Sequence, residues 1–441
     1  MFYSVGITAS YSISRRHSSR HGETSFQNLI YASCATVIAQ YPILSATADD
    51  DRVLKPWFVR LPEVDLDKCI VIIPEDPIAD VDAFLEKQHN IPFPASGPMW
   101  KLYVFNLSRE PFLTTFTASF VYQHALGDGL SGMAFHKKFA AALGEEQGHD
   151  SLPGQSPSSN KRVVEPPHKP LLPPMEALHP FPVSIPYVLK TVYDHVWTQR
   201  RRDPTLWTGT VVTMPLVSRY KSIRISGPQT ANITRACKAR GASVTGLLQE
   251  LVAGTLFQIL PPEYTALNSA IAVSTRRWMQ GGVANDQMGM FVTAVFKRHS
   301  RPPQLTRSFI WHQAVESTQK IREFLGTEGK NNYFGLLRRY VTNMHKLLTS
   351  RVGGPRTLSF EISNLGVLDP DQDHPGVNIG QMTFSQTISA IDSAIQVSVI
   401  TGGDKSMVTG FSWQDGVVAD EEIMSIIEKT KSFLEDIGEH S

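Results

Sequence analysis

Residues 113–121 alternate strictly. Phe116, Ala118 and Phe120 fall on one side and Thr115, Thr117 and Ser119 on the other, the two-residue period of a half-buried strand. An apolar stretch at 100–107, joined to it through Arg109-Glu110-Pro111, completes a predicted hairpin. Downstream, Phe135, Phe139 and Ala142 recur at i, i+4 and i+7, which predicts a helix whose first N–H groups Asp128 or Ser131 would accept. Between strand and helix runs Tyr122-Gln123-His124-Ala125-Leu126-Gly127-Asp128-Gly129-Leu130-Ser131-Gly132, so His124 sits on the connecting turn. Gly127 and Gly129 are read as allowing backbone torsions closed to other residues.

The same periodicities predict helices at 26–39 (ended by Tyr41-Pro42) and 79–88, and strands at 53–59 and 69–73. Beyond them come strands at 209–216 and 222–225. Val244, Leu247, Leu248, Leu251, Val252, Thr255, Leu256 and Ile259 form the most regular amphipathic helix of the chain. Strands at 269–276 and 289–297, helices at 308–324 and 333–348, strands at 357–363, 393–401 and 407–413, and a last helix at 420–434 follow. Strands and helices alternate in both halves, the pattern of an α/β fold with mixed sheets.

At 441 residues the chain exceeds what one hydrophobic core serves, so two domains are expected. Proline, serine and charge dominate from Glu145 onward, with Pro166-Pro167, Pro170 and Pro173-Pro174 setting a stiff path. This divides the chain into residues 1–145, a linker at 146–206 and residues 207–441. A net charge of +1 gives no reason to expect a nucleic-acid or membrane partner. Charge is unevenly spread: residues 49–86 hold eleven acids against four bases, and residues 297–356 twelve bases against three acids. Arg200-Arg201-Arg202 is read as a solvated charge run. Three widely spaced cysteines, Cys34, Cys69 and Cys237, offer neither a disulfide framework nor a C-x-x-C site. No apolar run at the start suits a signal peptide or membrane span, so a cytoplasmic monomer is expected.

The H-x-x-x-D-G spacing of His124, Asp128 and Gly129 resembles the acyltransferase superfamily of chloramphenicol acetyltransferase, BAHD enzymes, condensation domains and fungal alcohol acetyltransferases. Asn285 to Thr293 is similar to its glycine-containing strand, Ala272 to Arg277 to the strand supplying an arginine, and Ser359 to Gly366 to the alcohol acetyltransferase branch. Gln123 stands where condensation domains carry a first histidine, and the Asp-Phe-Gly-Trp-Gly of BAHD enzymes is absent. The resemblance implies two chloramphenicol-acetyltransferase-like halves with an active-site tunnel between them. His124 would be the general base, and Asp128 would pair with Arg276, or second with Arg277, rather than with the imidazole.

An acyl transfer from a thioester needs a base to take the proton of an attacking hydroxyl, a task that suits a neutral imidazole. No G-x-S-x-G elbow is present, so direct transfer without an acyl-enzyme is expected. Ser363, Asn364 and Thr293, polar residues on segments that the resemblance implies lie near the tunnel, are the candidates to stabilise the oxyanion. A metal triad of His124, Asp128 and His136 lacks a ligand pattern, and no metal is expected. The resemblance to stand-alone alcohol acetyltransferases implies acyl-CoA as the donor and a small apolar alcohol as the acceptor, with Arg338, Arg339, Lys346 and Arg351 of the basic segment as candidate phosphate partners. An acyl carrier protein as donor, or a cyclisation run on the same base, are the rival readings.

Overall fold

The computed structural model describes residues 3–14, 23–48, 56–73, 78–94, 96–110, 112–149, 162–200, 203–340, 343–368, 376–388 and 393–440. Two large mixed sheets dominate. The first runs in the order Val377–Gln386, Ser4–Ser14, Leu113–Gln123, Trp100–Arg109 and Ile70–Ile72. Its strands pair antiparallel except for the last, which lies parallel to Trp100–Arg109. Val5, Ile7, Ala9, Tyr11 and Ile13 point to one face and are buried with Phe116, Phe120, Phe135 and Phe139 under helices Glu23–Gln40 and Gly129–His149. Helix Val81–His89 covers the other face, where Phe84 meets Tyr103 and Phe105.

The second sheet has the order Ser218–Ile225, Met407–Gln414, Ser393–Thr401, Leu358–Val367, Ala266–Ser274 and Val292–Ser300, with the short strand Leu206–Trp207 beside Ala266–Ser274. Helices Gly227–Ala239, Val244–Ile259, Arg307–Gly326 and Asp420–His440 lie with it around a second core that buries Ile395, Val397, Val399, Phe360 and Ile362. Residues of the opposite parity on the same strands, Gln396, Ser398, Ile400, Ser363 and Leu365, face the first lobe. Ile400 and Leu365 accordingly pack into that lobe's core.

The lobes interlock. Strand Val377–Gln386, which follows Leu358–Val367 in the chain, crosses over to pair with Ser4–Ser14 from Val5↔Gln386 to Ile13↔Val377. The first lobe's sheet thus contains a strand from residues that the sequence reading assigned to the second half. Neither this strand nor Ser4–Ser14 was predicted, although the latter alternates perfectly.

Other departures have local causes. Residues 209–216 form no strand, because Gly209 takes φ +70° and Pro215 lacks an N–H for a ladder. Helix Gly227–Ala239 begins on a capping box between Ser226 and Gln229 with proline in its first turn, signals hidden behind a Gly-Pro pair that reads as a turn. The proline-rich linker ends in helix Ile185–Arg200. Instead of one helix at 333–348, helices Tyr333–Tyr340 and Met344–Thr349 form.

Candidate active site

Strand Leu113–Gln123 runs directly into a 3-10 turn, His124–Leu126, and helix Gly129–His149 starts three residues later. The His124 amide donates to the Tyr3 carbonyl at 2.8 Å, and the Gln123 side-chain oxygen accepts from the Ala125 amide. The imidazole lies flat on the Tyr3 ring, centroids 4.7 Å apart and planes 13° apart. Its Nδ1 is buried and finds no hydrogen-bond partner among the described residues. Burial lowers the His124 pKa below the usual 6.5, opposed by its own carbonyl, the Asp128 charge and the Gly127 carbonyl. A ring so placed is neutral at pH 7.

Tyr3 is itself fixed. Its hydroxyl bonds Gln386 Oε1 at 3.3 Å and receives Gln396 Nε2 at 3.0 Å, and Gln386 Nε2 reaches Ser398 Oγ at 2.9 Å. The stack on His124 is therefore tied to the crossover strand and to the central strand of the second sheet. Sequence reasoning missed Tyr3, Gln386, Gln396 and Ser398. Their only signal was a pair of polar residues, Gln396 and Ser398, at alternating positions in an otherwise apolar strand.

Asp128 points away from the imidazole. Arg276 grips its carboxylate with two nitrogens, at 2.6 and 3.0 Å, and the Phe291 amide, the Ser131 amide and Ser131 Oγ donate at 3.1, 3.1 and 3.0 Å. Both partners are buried. Arg276 goes on to the carbonyls of Gln287 and Gly289 and lies over the Phe291 ring. The Gly289 amide donates to the Ser131 hydroxyl, and the Gly289 carbonyl accepts from the Asp128 amide. Residues 274–291 of one lobe are thus stapled to residues 128–131 of the other, immediately after the histidine turn. Arg277 is exposed and takes no part.

The glycines correct the sequence reading. Neither Gly127 nor Gly129 lies in the left-handed φ region that favours glycine, and Gly127 is fully extended at φ 173°. They are needed for space. A Cβ at 127 would collide with the Ser131 side chain, and one at 129 would lie 2.5 Å from Leu365 Cδ2 and 3.1 Å from Phe384 Cζ.

His136 is a core histidine, Nε2 donating to the Ile7 carbonyl at 2.8 Å and Nδ1 accepting from the Tyr11 hydroxyl at 2.7 Å. Thr293 is buried and donates to Asn332. Asn364 is committed to Thr245 Oγ1 and the Gly366 amide. The hydroxyl of Ser363, half-buried on the same side of its strand as Leu365, makes no hydrogen bond among the described residues. Lys346 is exposed on helix Met344–Thr349 and Arg351 half-buried after it, whereas the side chains of Arg338 and Arg339 lie outside the described residues. No described contact joins these four positions to the His124 turn.

Two helix-covered sheets that meet at a histidine turn define the two-lobed architecture of chloramphenicol-acetyltransferase-like acyltransferases. A trichothecene 15-O-acetyltransferase from Fusarium sporotrichioides superposes with TM-score 0.73 at 15% identity, over 99% of this chain and 91% of that one. The first condensation domain of the calcium-dependent antibiotic synthetase gives 0.63 at 16% identity, over 99% and 91%. In sequence, a probable alcohol acetyltransferase of Aspergillus fumigatus, crmB, is 32% identical over 95% of this chain and 92% of its own. The model of the alcohol acetyltransferase family matches residues 82–434. The chain belongs to the alcohol acetyltransferase family and is an acyltransferase.

Proposed function

We propose that the protein transfers an acyl group, an acetyl group first among them, from acyl-CoA directly to the hydroxyl of a small, largely apolar alcohol, with His124 as general base. The observation that carries this reading is the His124 ring: neutral through burial, clamped on Tyr3, and with Asp128 turned away into the Arg276 staple. A lone neutral imidazole can take the alcohol proton as the hydroxyl oxygen attacks the thioester carbon. When the tetrahedral intermediate collapses, the same proton goes to the departing thiolate, so no acyl-enzyme is needed. Of the three oxyanion candidates Ser363 suits the role best, because its hydroxyl is uncommitted and faces the lobe junction, while Thr293 and Asn364 are engaged elsewhere. Arg338, Arg339, Lys346 and Arg351 are assigned to the CoA phosphates on their charge alone.

Acetyl-CoA and a panel of hydrophobic alcohols, with free thiol release as the readout, test the reading. His124→Ala should lower turnover by about two to four orders of magnitude with an unchanged Tm. Turnover within about threefold of the parent would remove His124 from the chemistry. Turnover of carrier-bound thioesters with none of acyl-CoA would transfer the donor role to a carrier protein.

A further inference from the structure

Helix Ile185–Arg200, at the end of the linker, presents Ile185, Leu189, Val192 and Tyr193 at i, i+4, i+7 and i+8, and these side chains are 75, 65, 56 and 62% exposed. Four large apolar residues at helical spacing, all turned to solvent, are unlike the scattered exposed apolar residues of an ordinary surface. The stripe is held outward. At the start of the helix the Asn331 amide donates to the Pro182 carbonyl at 2.8 Å, and Asn331 Oδ1 accepts from the Ser184 amide at 2.8 Å. Tyr187, on the opposite side of the first turns, and Val188, at the edge of the stripe, are half-buried.

We propose that this helix docks the protein on an anionic lipid surface, with the apolar stripe entering the headgroup region. Charge selects that occupant. Residues 185–202 carry four bases, Lys190, Arg200, Arg201 and Arg202, against one acid, Asp194. Lys190 is exposed beside the stripe, and Lys330 is exposed next to the Asn331 that anchors the helix. An apolar stripe bordered by bases is the pattern of a helix lying in a membrane interface. A second copy of the chain fits less well, because four side chains on one helix offer a few hundred Å², well short of the roughly 800 Å² per partner that a stable interface buries.

Flotation of the full chain tests this without reference to catalysis. With vesicles of phosphatidylserine and phosphatidylcholine at roughly 3:7 the protein should rise with the lipid, and with phosphatidylcholine alone at least about fivefold less should do so. Leu189→Glu combined with Val192→Glu should lower vesicle binding by at least about tenfold, with Tm and acyl transfer in vesicle-free buffer unchanged. Lys190→Gln should weaken binding to the anionic vesicles alone. Absence of flotation, or flotation that survives the double substitution, overturns the proposal. A dimer in sedimentation that the double variant dissociates, with no lipid dependence, would give the stripe to a second copy instead.

Discussion

At the scale of single residues, the carboxylate of Asp128 has every oxygen lone pair in use, taking two bonds from Arg276, two from backbone amides and one from Ser131. A carboxylate so occupied cannot also orient the imidazole four residues earlier, and its work is to hold two lobes together in register. Removing one member of a buried pair leaves the other charge in a poorly solvating interior, which costs about 3–5 kcal/mol. Asp128→Ala and Arg276→Ala should each destabilise by roughly that amount, and the double variant by at least about 1 kcal/mol less than their sum, as contacting residues do. Denaturant titration of the four proteins checks it. Additivity within error would mean that the contact does not carry the stability. Activity should fall along with stability, since the staple begins one turn beyond the imidazole.

At the scale of elements, the histidine turn is positioned by close approach. Helix Gly129–His149 starts against Leu365 and Phe384, one from each of two strands of the later half of the chain, and any side chain at 129 enters the space of both. Gly129→Ala should therefore cost about 1–3 kcal/mol through overpacking. Leu365→Val in the same chain should recover part of the loss, because the nearest atom is the movable end of a leucine. If the pair is no more stable than Gly129→Ala alone, the collision is not the cause. The strand, the helix and the turn between them were legible from alternation and 3.6-residue spacing, as were the long helix Val244–Ile259 and the strands Ser393–Thr401 and Met407–Gln414. The reason for the glycines was not, since sequence shows that a residue is small and not what lies 2.5 Å from its missing Cβ. Tyr3 and Gln386 were illegible for a related reason: they meet His124 through pairings between residues more than a hundred positions apart, and nothing local to either announces the partner.

At the scale of the whole molecule, the crossover strand makes the first lobe incomplete without the second, and a buried histidine sits where the parts join. His89, on helix Val81–His89, bonds Ser4 Oγ at 2.7 Å and Ser385 Oγ at 2.8 Å, so one ring links a helix, the first strand and the crossover strand. Burial lowers its pKa to about 3, and burial lowers that of His136 to about 4. In the unfolded chain both histidines take up a proton near 6.5, while the folded chain refuses it until those lower values. Below pH 6.5 the unfolded state thus binds more protons, and stability must fall as pH drops, the loss for each ring ending only at its folded pKa. His124, lowered by burial as well, adds to the same slope. Between pH 6.5 and 5, above the range where ordinary carboxylates titrate, the unfolding free energy from urea titration should fall steadily, by up to about 1.4 kcal/mol per pH unit for each refusing histidine. His89→Gln and His136→Gln, which keep a polar group in place, should each flatten that slope by close to one proton whatever they do to stability at pH 7. A slope unchanged in both variants would mean that these rings are not the sensors. Because the strand that His89 touches belongs to both lobes, the acid transition should also be single, with the loss of near-UV and far-UV signals coinciding.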